Sequence, residues 1–244
     1  MINGNKHNTD IICCIQARMG SIRLPGKVMC DISGKPLIQH IIERLKRCNS
    51  VNTIVLLTST NKENNVLEEL AHTLNIFVHR GSEDNVLSRF VEAQKRYNAK
   101  YIIRICADNP LVDPVEVDRI VEHHIETGAD YSFNAIPAMG NNYPDGVGAE
   151  IFNANALLYS AKYGISSDNT EHANKFILSH PHLFKIETIQ APENIAFPDV
   201  KLDVDTYEQL EYIRDIFRQF NGNLFATADV LSYVRKNDYR NTTT

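Results

Sequence analysis

The chain has 244 residues, 43% of them hydrophobic and 23% charged, with a net charge of −5. These are ordinary proportions for a soluble globular protein long enough to bury a core. The acidic balance argues against sequence-independent nucleic-acid binding, which needs a basic face, but leaves room for a small anionic substrate held by a few local cations.

Five cysteines, Cys13, Cys14, Cys30, Cys48 and Cys106, show no two-residue spacing of a zinc knuckle or redox motif. Cys13, Cys14 and Cys106 lie in apolar runs and read as small buried hydrophobes. An odd count behind a polar start with no apolar h-region predicts a reducing, cytoplasmic setting. No apolar run approaches the ~20 residues of a membrane span. Residues 1–9 and 237–244 are polar and are expected to be disordered tails around one domain over 10–236.

The first strand is predicted over 10–16, an apolar run of the kind buried on both faces of a parallel sheet. A loop with Gly, Arg and Pro follows. Pro36 then opens a helix that sets Leu37, Ile38, Ile41, Ile42 and Leu45 on one face. Strands at 53–58, 76–79 and 101–107 alternate with helices at 63–74 and 85–97. That alternation predicts an α/β doubly wound, mostly parallel sheet with ligands beyond the carboxyl ends of its strands. The second half reads less regularly. Helix 114–127 precedes strands at 129–134 and 148–152 around a Gly- and Pro-containing loop. Asp168 and Glu171 are spaced as a capping box for a helix over 170–179. Strands follow at 184–190 and 200–204. Thr206 caps a helix over 208–220, and a last helix covers 226–234. The later strands are expected to complete the sheet and form an irregular lid or dimerisation arm. His123-His124 reads as solvated helix surface, and His180-Pro181-His182 has no neighbouring ligand set.

The segment Ile15-Gln16-Ala17-Arg18-Met19-Gly20-Ser21-Ile22-Arg23-Leu24-Pro25-Gly26-Lys27 leaves the carboxyl end of the first strand. Its glycines let backbone N–H groups approach an anion, and Arg18, Arg23 and Lys27 can neutralise a polyphosphate. A Walker A loop is excluded: five residues separate Gly20 from Gly26, and Val28, not a hydroxyl residue, follows Lys27. A dinucleotide fingerprint is excluded because its three close glycines are absent. Asp108 ends a buried strand ahead of Asn109 and Pro110, where it reads as a Mg²⁺ ligand or, more plainly, as a turn residue. Strand alternation over Leu202-Asp203-Val204-Asp205-Thr206 puts Asp203 and Asp205 on one side. Arg104 is a lone cation in an apolar strand, so it pairs with a carboxylate or meets an anionic substrate.

Ala17-Arg18-Met19-Gly20-Ser21-x-Arg23-Leu24-Pro25-Gly26-Lys27, with Gly34-Lys35-Pro36-Leu37 after it, resembles the amino-terminal signature of the cytidylyltransferases that make CMP-activated sugars. Arg80-Gly81-Ser82-Glu83-Asp84-x-Val86-Leu87-x-Arg89-Phe90, Arg104-Ile105-x-x-Asp108-x-Pro110-Leu111, Glu171-His172 and Val204-Asp205-Thr206 follow in the family's order. The similarity is greatest to the spore-coat polysaccharide branch, and it extends to the enzymes that activate 3-deoxy-manno-octulosonate and acylneuraminates.

The resemblance implies a Rossmann-like nucleotidyltransferase fold, CTP and a small anionic acceptor as substrates, Mg²⁺ as cofactor, and a homodimer. It implies in-line attack on the α-phosphorus of CTP with loss of pyrophosphate. Arg18, Lys27, Asp108 and Asp205 take the catalytic roles, and Asp108 and Asp205, with Asp203 assisting, hold the metal. Ile15, Gln16, Ala17, Arg18, Gly20, Ser21, Arg23, Lys27, Arg80, Ser82 and Asp84 are the nucleotide-binding candidates, Ser82 and Asp84 for the cytosine. Arg104, Tyr143, Asp145, Glu150, Glu171, His172 and Lys201 are the acceptor-side candidates. Ala107 stands where the closest branch usually carries Gly, and Lys201-Leu202 where it commonly carries Arg and Trp; the chain has no Trp. These departures fall on the acceptor side. They leave open a 2-keto-3-deoxy sugar acid, a phosphonate or a sugar phosphate as acceptor, and a catalytically silent nucleotide-binding module as the alternative class.

Overall fold

The computed structural model describes residues 10–220, 222–223 and 225–237. Of the tails expected at 1–9 and 237–244, residues 1–9 and 238–244 lie outside the described residues, whereas Asn237 forms the carboxyl cap of the last helix. In chain order the elements are β1 Ile11–Gln16, β2 Asp31–Ile32, β3 Lys35–Pro36, α1 Leu37–Leu45, β4 Ile54–Ser59, α2 Asn65–Thr73, β5 Phe77–Gly81, α3 Val86–Tyr97 and β6 Tyr101–Cys106. Then come α4 Pro114–Thr127, β7 Tyr131–Phe133, β8 Glu150–Asn153, α5 Ala154–Tyr163, α6 Ser167–Glu171, α7 Lys175–Ser179, β9 Ile186–Thr188, α8 Tyr207–Gln219 and α9 Thr227–Lys236.

Seven strands form one sheet in the order β5-β4-β1-β6-β8-β7-β9. β1, β4, β5 and β6 are parallel, β8 runs antiparallel to both β6 and β7, and β7 is parallel to β9. β1 has β4 on one side and β6 on the other, so the strand order reverses beside it. The crevice beyond Gln16 and Cys106, which are paired in register, is therefore the switch point where such folds hold ligands.

Strand alternation divides the core in two. Cys13, Ile15, Leu56, Ile103 and Ile105 face α1, α2, α4, α8 and α9. Ile12, Cys14, Val55, Leu57 and Ile102 face α3, α5 and α7. This is the doubly wound architecture expected from the continuous apolar runs, since each strand needs cover on both faces. Helices on opposite faces suit crossovers of one hand running in opposite directions from β1.

The second half departs from expectation in four places. α5 is a helix that apolar periodicity leaves unsignalled, because Ala154, Ala156, Leu157, Leu158 and Ala161 all pack against the core and span more than one face. The helix expected over 170–179 is two short helices, α6 and α7. Ser166 rather than Asp168 caps the first, accepting from Asn169 N–H at 3.4 Å. No regular strand covers 200–204; an isolated bridge joins Lys201 to Asp145. His124 is buried, because it continues the inward stripe Val117, Ile120, Val121 of α4. Among the described residues no helix is long and apolar enough to cross a membrane.

His124 Nδ1 meets Ser132 Oγ at 2.8 Å, and burial pulls its pKa down to about 4. The unfolded chain binds this proton near pH 6.5, so His124 removes stability as pH falls from about 6.5 toward 4, by up to about 3 kcal/mol. Unfolding free energies measured by denaturant at pH 7 and 4.5 are expected to show a shallower acid loss in His124→Gln than in the parent chain. Equal slopes would exclude His124 as the source.

Candidate active site

The chain leaves β1 through Ala17, whose N–H donates to Leu57 O at 3.0 Å. It then folds on itself: Ser21 N–H and Gly26 N–H both donate to Met19 O at 2.9 Å. Met19 N–H donates to Asn64 Oδ1 at 2.8 Å, and Asn64, fully buried, donates in turn to Ser59 Oγ at 2.7 Å. The loop is thus pinned to the end of β4. Gly26 adopts φ +71°, in the left-handed region, and starts the 3-10 turn Lys27–Met29. That turn delivers Lys27 inward, leaving its side chain 12% exposed.

Lys27 Nζ donates at 2.9 Å to each of Asp108 Oδ2, Asp205 Oδ1 and Val204 O. Asp108 follows β6 and Asp205 precedes α8. Val204 N–H donates to Asp108 O at 2.8 Å, joining the two segments by backbone. Asp205 is oriented by a capping box. Gln209 Oε1 accepts from Asp205 N–H at 2.7 Å and from Thr206 N–H at 3.0 Å, while Thr206 Oγ1 accepts from Gln209 N–H. Burial works against the Lys27 ammonium, but the facing Asp108 and Asp205 outweigh it and hold its pKa above the usual lysine value. Arg23, 66% exposed, pairs with Asp205 Oδ2 at 2.6 Å.

These groups border a cleft of about 380 Å³. Gln16, Ala17, Arg18, Ser21, Arg23, Lys27, Arg104, Asp108, His172 and Asp205, ten of the sequence candidates, line it. Arg18 reaches across to Glu83 at 3.1 Å. Arg104 donates from Nε to Gln16 Oε1 at 3.2 Å and from Nη1 to Glu150 Oε1. Glu150 also accepts from the Tyr131 hydroxyl at 2.6 Å and from Asn174 Nδ2 at 2.9 Å. Cys106 borders the cleft too, only partly buried rather than a core hydrophobe. Burial still pushes its thiol up to about 12, so it stays protonated and is a poor nucleophile.

The other candidates sit elsewhere. Ile15 is fully buried in the core, because its side chain alternates away from the cleft. Gly20 faces Glu63, whose Oε1 a Cβ would meet at 3.2 Å. Arg80 braces β4 and α2, donating to Ser59 O, Asn61 O, Asn65 and Glu68. Ser82 and Asp84 are exposed, and Ser82 Oγ accepts from Asn85 N–H at 3.0 Å in the turn before α3. Tyr143 is fully buried against Glu116 and Arg119. Glu171 and Lys201 are exposed and do not line the cleft.

Asp203 does not join Asp205 at the cleft wall, since the irregular backbone breaks the expected alternation. Its Oδ1 is buried without a hydrogen-bond partner. Burial, then the neighbouring Asp145, Asp108 and Asp205, push its pKa up to about 6. Asp145, beside Lys201, is raised for the same leading reason, burial. Among the described residues no three His, Cys, Asp or Glu side chains converge as a preformed metal cage.

Two contributors escape the sequence reading. Asn64 anchors the loop from a 3-10 turn that carries no motif. Arg89 lines the cleft from α3; it lies inside a family motif, and helical spacing puts it one turn from Ala93 at the edge of the buried face.

Comparison with known proteins agrees with this geometry. The model of a family described as cytidylyltransferase matches residues 12–234. The spore coat polysaccharide biosynthesis protein SpsF of Bacillus subtilis is 33% identical, over 86% of this chain and 87% of its own length. A solved cytidylyltransferase from Leptospira borgpetersenii superposes with a TM-score of 0.88 at 26% identity, covering 96% of this chain and 98% of that one. A CMP:2-keto-3-deoxy-manno-octonic acid synthetase solved with CTP shares the fold at a TM-score of 0.63 and 19% identity, over 86% of this chain and 98% of that one. With a match over nearly its whole length, and a glycine-turned cationic loop facing two aspartates at the sheet's switch point, the chain belongs to the cytidylyltransferase family and is a nucleotidyltransferase.

Proposed function

We propose that the cleft transfers CMP from CTP to an anionic acceptor, a 2-keto-3-deoxy sugar acid, releasing pyrophosphate and supplying a surface polysaccharide. The observation that carries this reading is the Lys27 ammonium held at 2.9 Å by both Asp108 and Asp205 at the base of the loop. SpsF acts in spore coat polysaccharide biosynthesis, which supports the pathway class.

Each residue's part follows from its chemistry. Arg18, Arg23 and Lys27 neutralise the triphosphate, Arg18 and Arg23 exchanging Glu83 and Asp205 for phosphate oxygens. Lys27, least exposed of the three, stabilises the charge that develops on departing pyrophosphate. The main chain of the loop supplies N–H groups to the phosphates. Arg104 and His172, which also line the cleft, are assigned to the acceptor.

A divalent cation fits this donor set. Two carboxylates converge on one cationic atom, and a third carboxylate, Asp203, has an orphaned buried oxygen. Such a pair plus phosphate oxygens and water suits Mg²⁺. Asp108 and Asp205 would hold it, and it would supply charge neutralisation at the α-phosphate and acidify the acceptor hydroxyl.

Pyrophosphate release is to be measured with CTP, UTP and GTP, MgCl₂, and a panel of sugar acids, phosphonates and sugar phosphates. Release with CTP and a sugar acid is expected. Release with UTP or GTP alone would overturn the base assignment. Tight CTP binding without release from any acceptor would point to a silent binding module.

A further inference from the structure

A second cavity, of about 530 Å³, lies between the β2–β3 hairpin, α1 and the carboxyl end of α8. Ser33, Lys35, His40, Phe217, Arg218 and Phe220 line it, and none of them lines the cleft. α8 begins beside Asp205 and runs for 13 residues, which puts the cavity roughly 15–20 Å along the helix from that aspartate. Its volume is that of a small-molecule site.

The backbone around the cavity is tied down on both sides. Ser33 and Gly34, at φ +51° and +83°, make the two-residue turn between β2 and β3, where two left-handed residues match the twist of the strands. On the α1 side His40 Nε2 lies 2.7 Å from Ile32 O; a carbonyl only accepts, so this nitrogen carries the hydrogen. On the α8 side Arg214 Nε donates to Asp31 O at 2.8 Å. The hairpin is thereby fastened to both helices, and the cavity stands ready before any ligand arrives.

Its lining holds unmet chemistry. His40 is 3% exposed, and its ring meets Phe217 edge-on with centroids 4.5 Å apart. Burial favours the neutral ring, so with Nε2 donating, Nδ1 is a bare acceptor, and among the described residues it has no partner. A buried acceptor left unmade calls for a donor such as a hydroxyl. Two cations stand at the same cavity. Lys35 Nζ meets Glu43 at 2.8 Å but is 42% exposed, and Arg218, 57% exposed, is 3.5 Å from Asp215 and 3.6 Å from Glu211. Exposed pairs of this kind are weak and exchange readily for another anion. Phe217 and Phe220 add an apolar wall for the C–H face of a sugar ring. We propose that this cavity binds a small hydroxylated anion, a sugar phosphate or a sugar acid, whose charged group meets Lys35 and Arg218 and whose hydroxyl donates to His40 Nδ1. Nδ1 is covered in the unliganded protein, so binding includes a side-chain shift that uncovers it. The site is separate from the cleft and does not depend on which nucleotide the cleft takes.

The test is calorimetric titration of the full chain with glucose 6-phosphate, glucuronate, glucose and inorganic phosphate. The parent is compared with a cavity variant, Lys35→Gln with Arg218→Gln, and a cleft variant, Arg18→Gln with Arg23→Gln. The parent is expected to bind at least one of the charged sugars roughly tenfold or more tightly than glucose or inorganic phosphate. The cavity variant should lose roughly 10- to 100-fold of that affinity, and the cleft variant should keep it within roughly threefold. Whichever charged sugar binds better, the site is supported, and the order names the anion as phosphate ester or carboxylate. His40→Phe should reduce the charged sugar to the affinity of inorganic phosphate; if that variant fails to fold, the cavity variant, changed only at exposed side chains, decides alone. A parent that binds neither charged sugar more tightly than glucose and phosphate overturns the proposal. So does binding that the cavity variant leaves intact, or binding that the cleft variant removes, which would place the ligand in the cleft.

Discussion

Asp205→Asn is expected to lower cytidylyl transfer by roughly a thousandfold while lowering the melting temperature by only roughly 2–4 °C. The carboxylate is one of two that converge on the Lys27 ammonium, and the amide keeps its shape while removing its charge. Little stability goes with it. Arg23, its other partner, is 66% exposed, where an ion pair contributes about 1 kcal/mol or less. Lys27 keeps Asp108 and Val204 O, and the Thr206–Gln209 capping box uses the backbone of residue 205, which the substitution leaves alone. Pyrophosphate release and a thermal melt on the same sample separate the two effects. Activity within tenfold of the parent would remove Asp205 from the reaction, and a melt lowered by more than roughly 10 °C would make it structural.

Glu150→Ala is expected to act the other way, on stability first. Glu150 accepts from Arg104, from the Tyr131 hydroxyl and from Asn174, all beneath the cleft where β6 and β8 pair. Removing it leaves the Arg104 guanidinium buried with only Gln16 as a partner. Breaking such a pair from one side costs about 3–5 kcal/mol. A size-matched apolar replacement of both, Arg104→Met with Glu150→Leu, should recover most of that loss, because no uncompensated charge remains. Denaturant unfolding of the two single variants and the double measures this. A Glu150→Ala loss below about 1 kcal/mol, or a double variant worse than either single, would contradict it.

The first half of the molecule is nearly legible in the sequence because its physics is local. Runs such as 11–15 and, but for Arg104, Tyr101–Cys106 are continuously apolar, as a parallel strand covered on both faces requires, and the helices between them have single clear stripes. The catalytic candidates Lys27, Asp108 and Asp205 are legible for a related reason. Each sits at the boundary of a regular element, where Gly26, the end of β6 and the Thr206 cap fix its direction.

The second half is less legible because tertiary contacts decide it. α5 has apolar residues on several faces and no single stripe. Residues 200–204 look like a strand by composition, but they run beside Asp145 as a single bridge, and Asp203 does not line the cleft as Asp205 does. On the base side, Ser82 is drawn into the turn before α3, a use that short polar side chains find wherever backbone donors are unpaired. Arg89, a long side chain at the margin of an apolar face, looks like ordinary helix surface until its burial is seen. A sequence shows which groups are present, and only packing shows which of them are left unpaired.

The most direct test of the account is a crystal structure with CTP and Mn²⁺, phased to show the metal's anomalous signal. One peak is expected, contacting Asp108, Asp205 and an α-phosphate oxygen, with Lys27 moved from the carboxylates onto the phosphates and the loop N–H groups against the triphosphate. A triphosphate bound away from the loop, or a metal peak distant from Asp108 and Asp205, would contradict it.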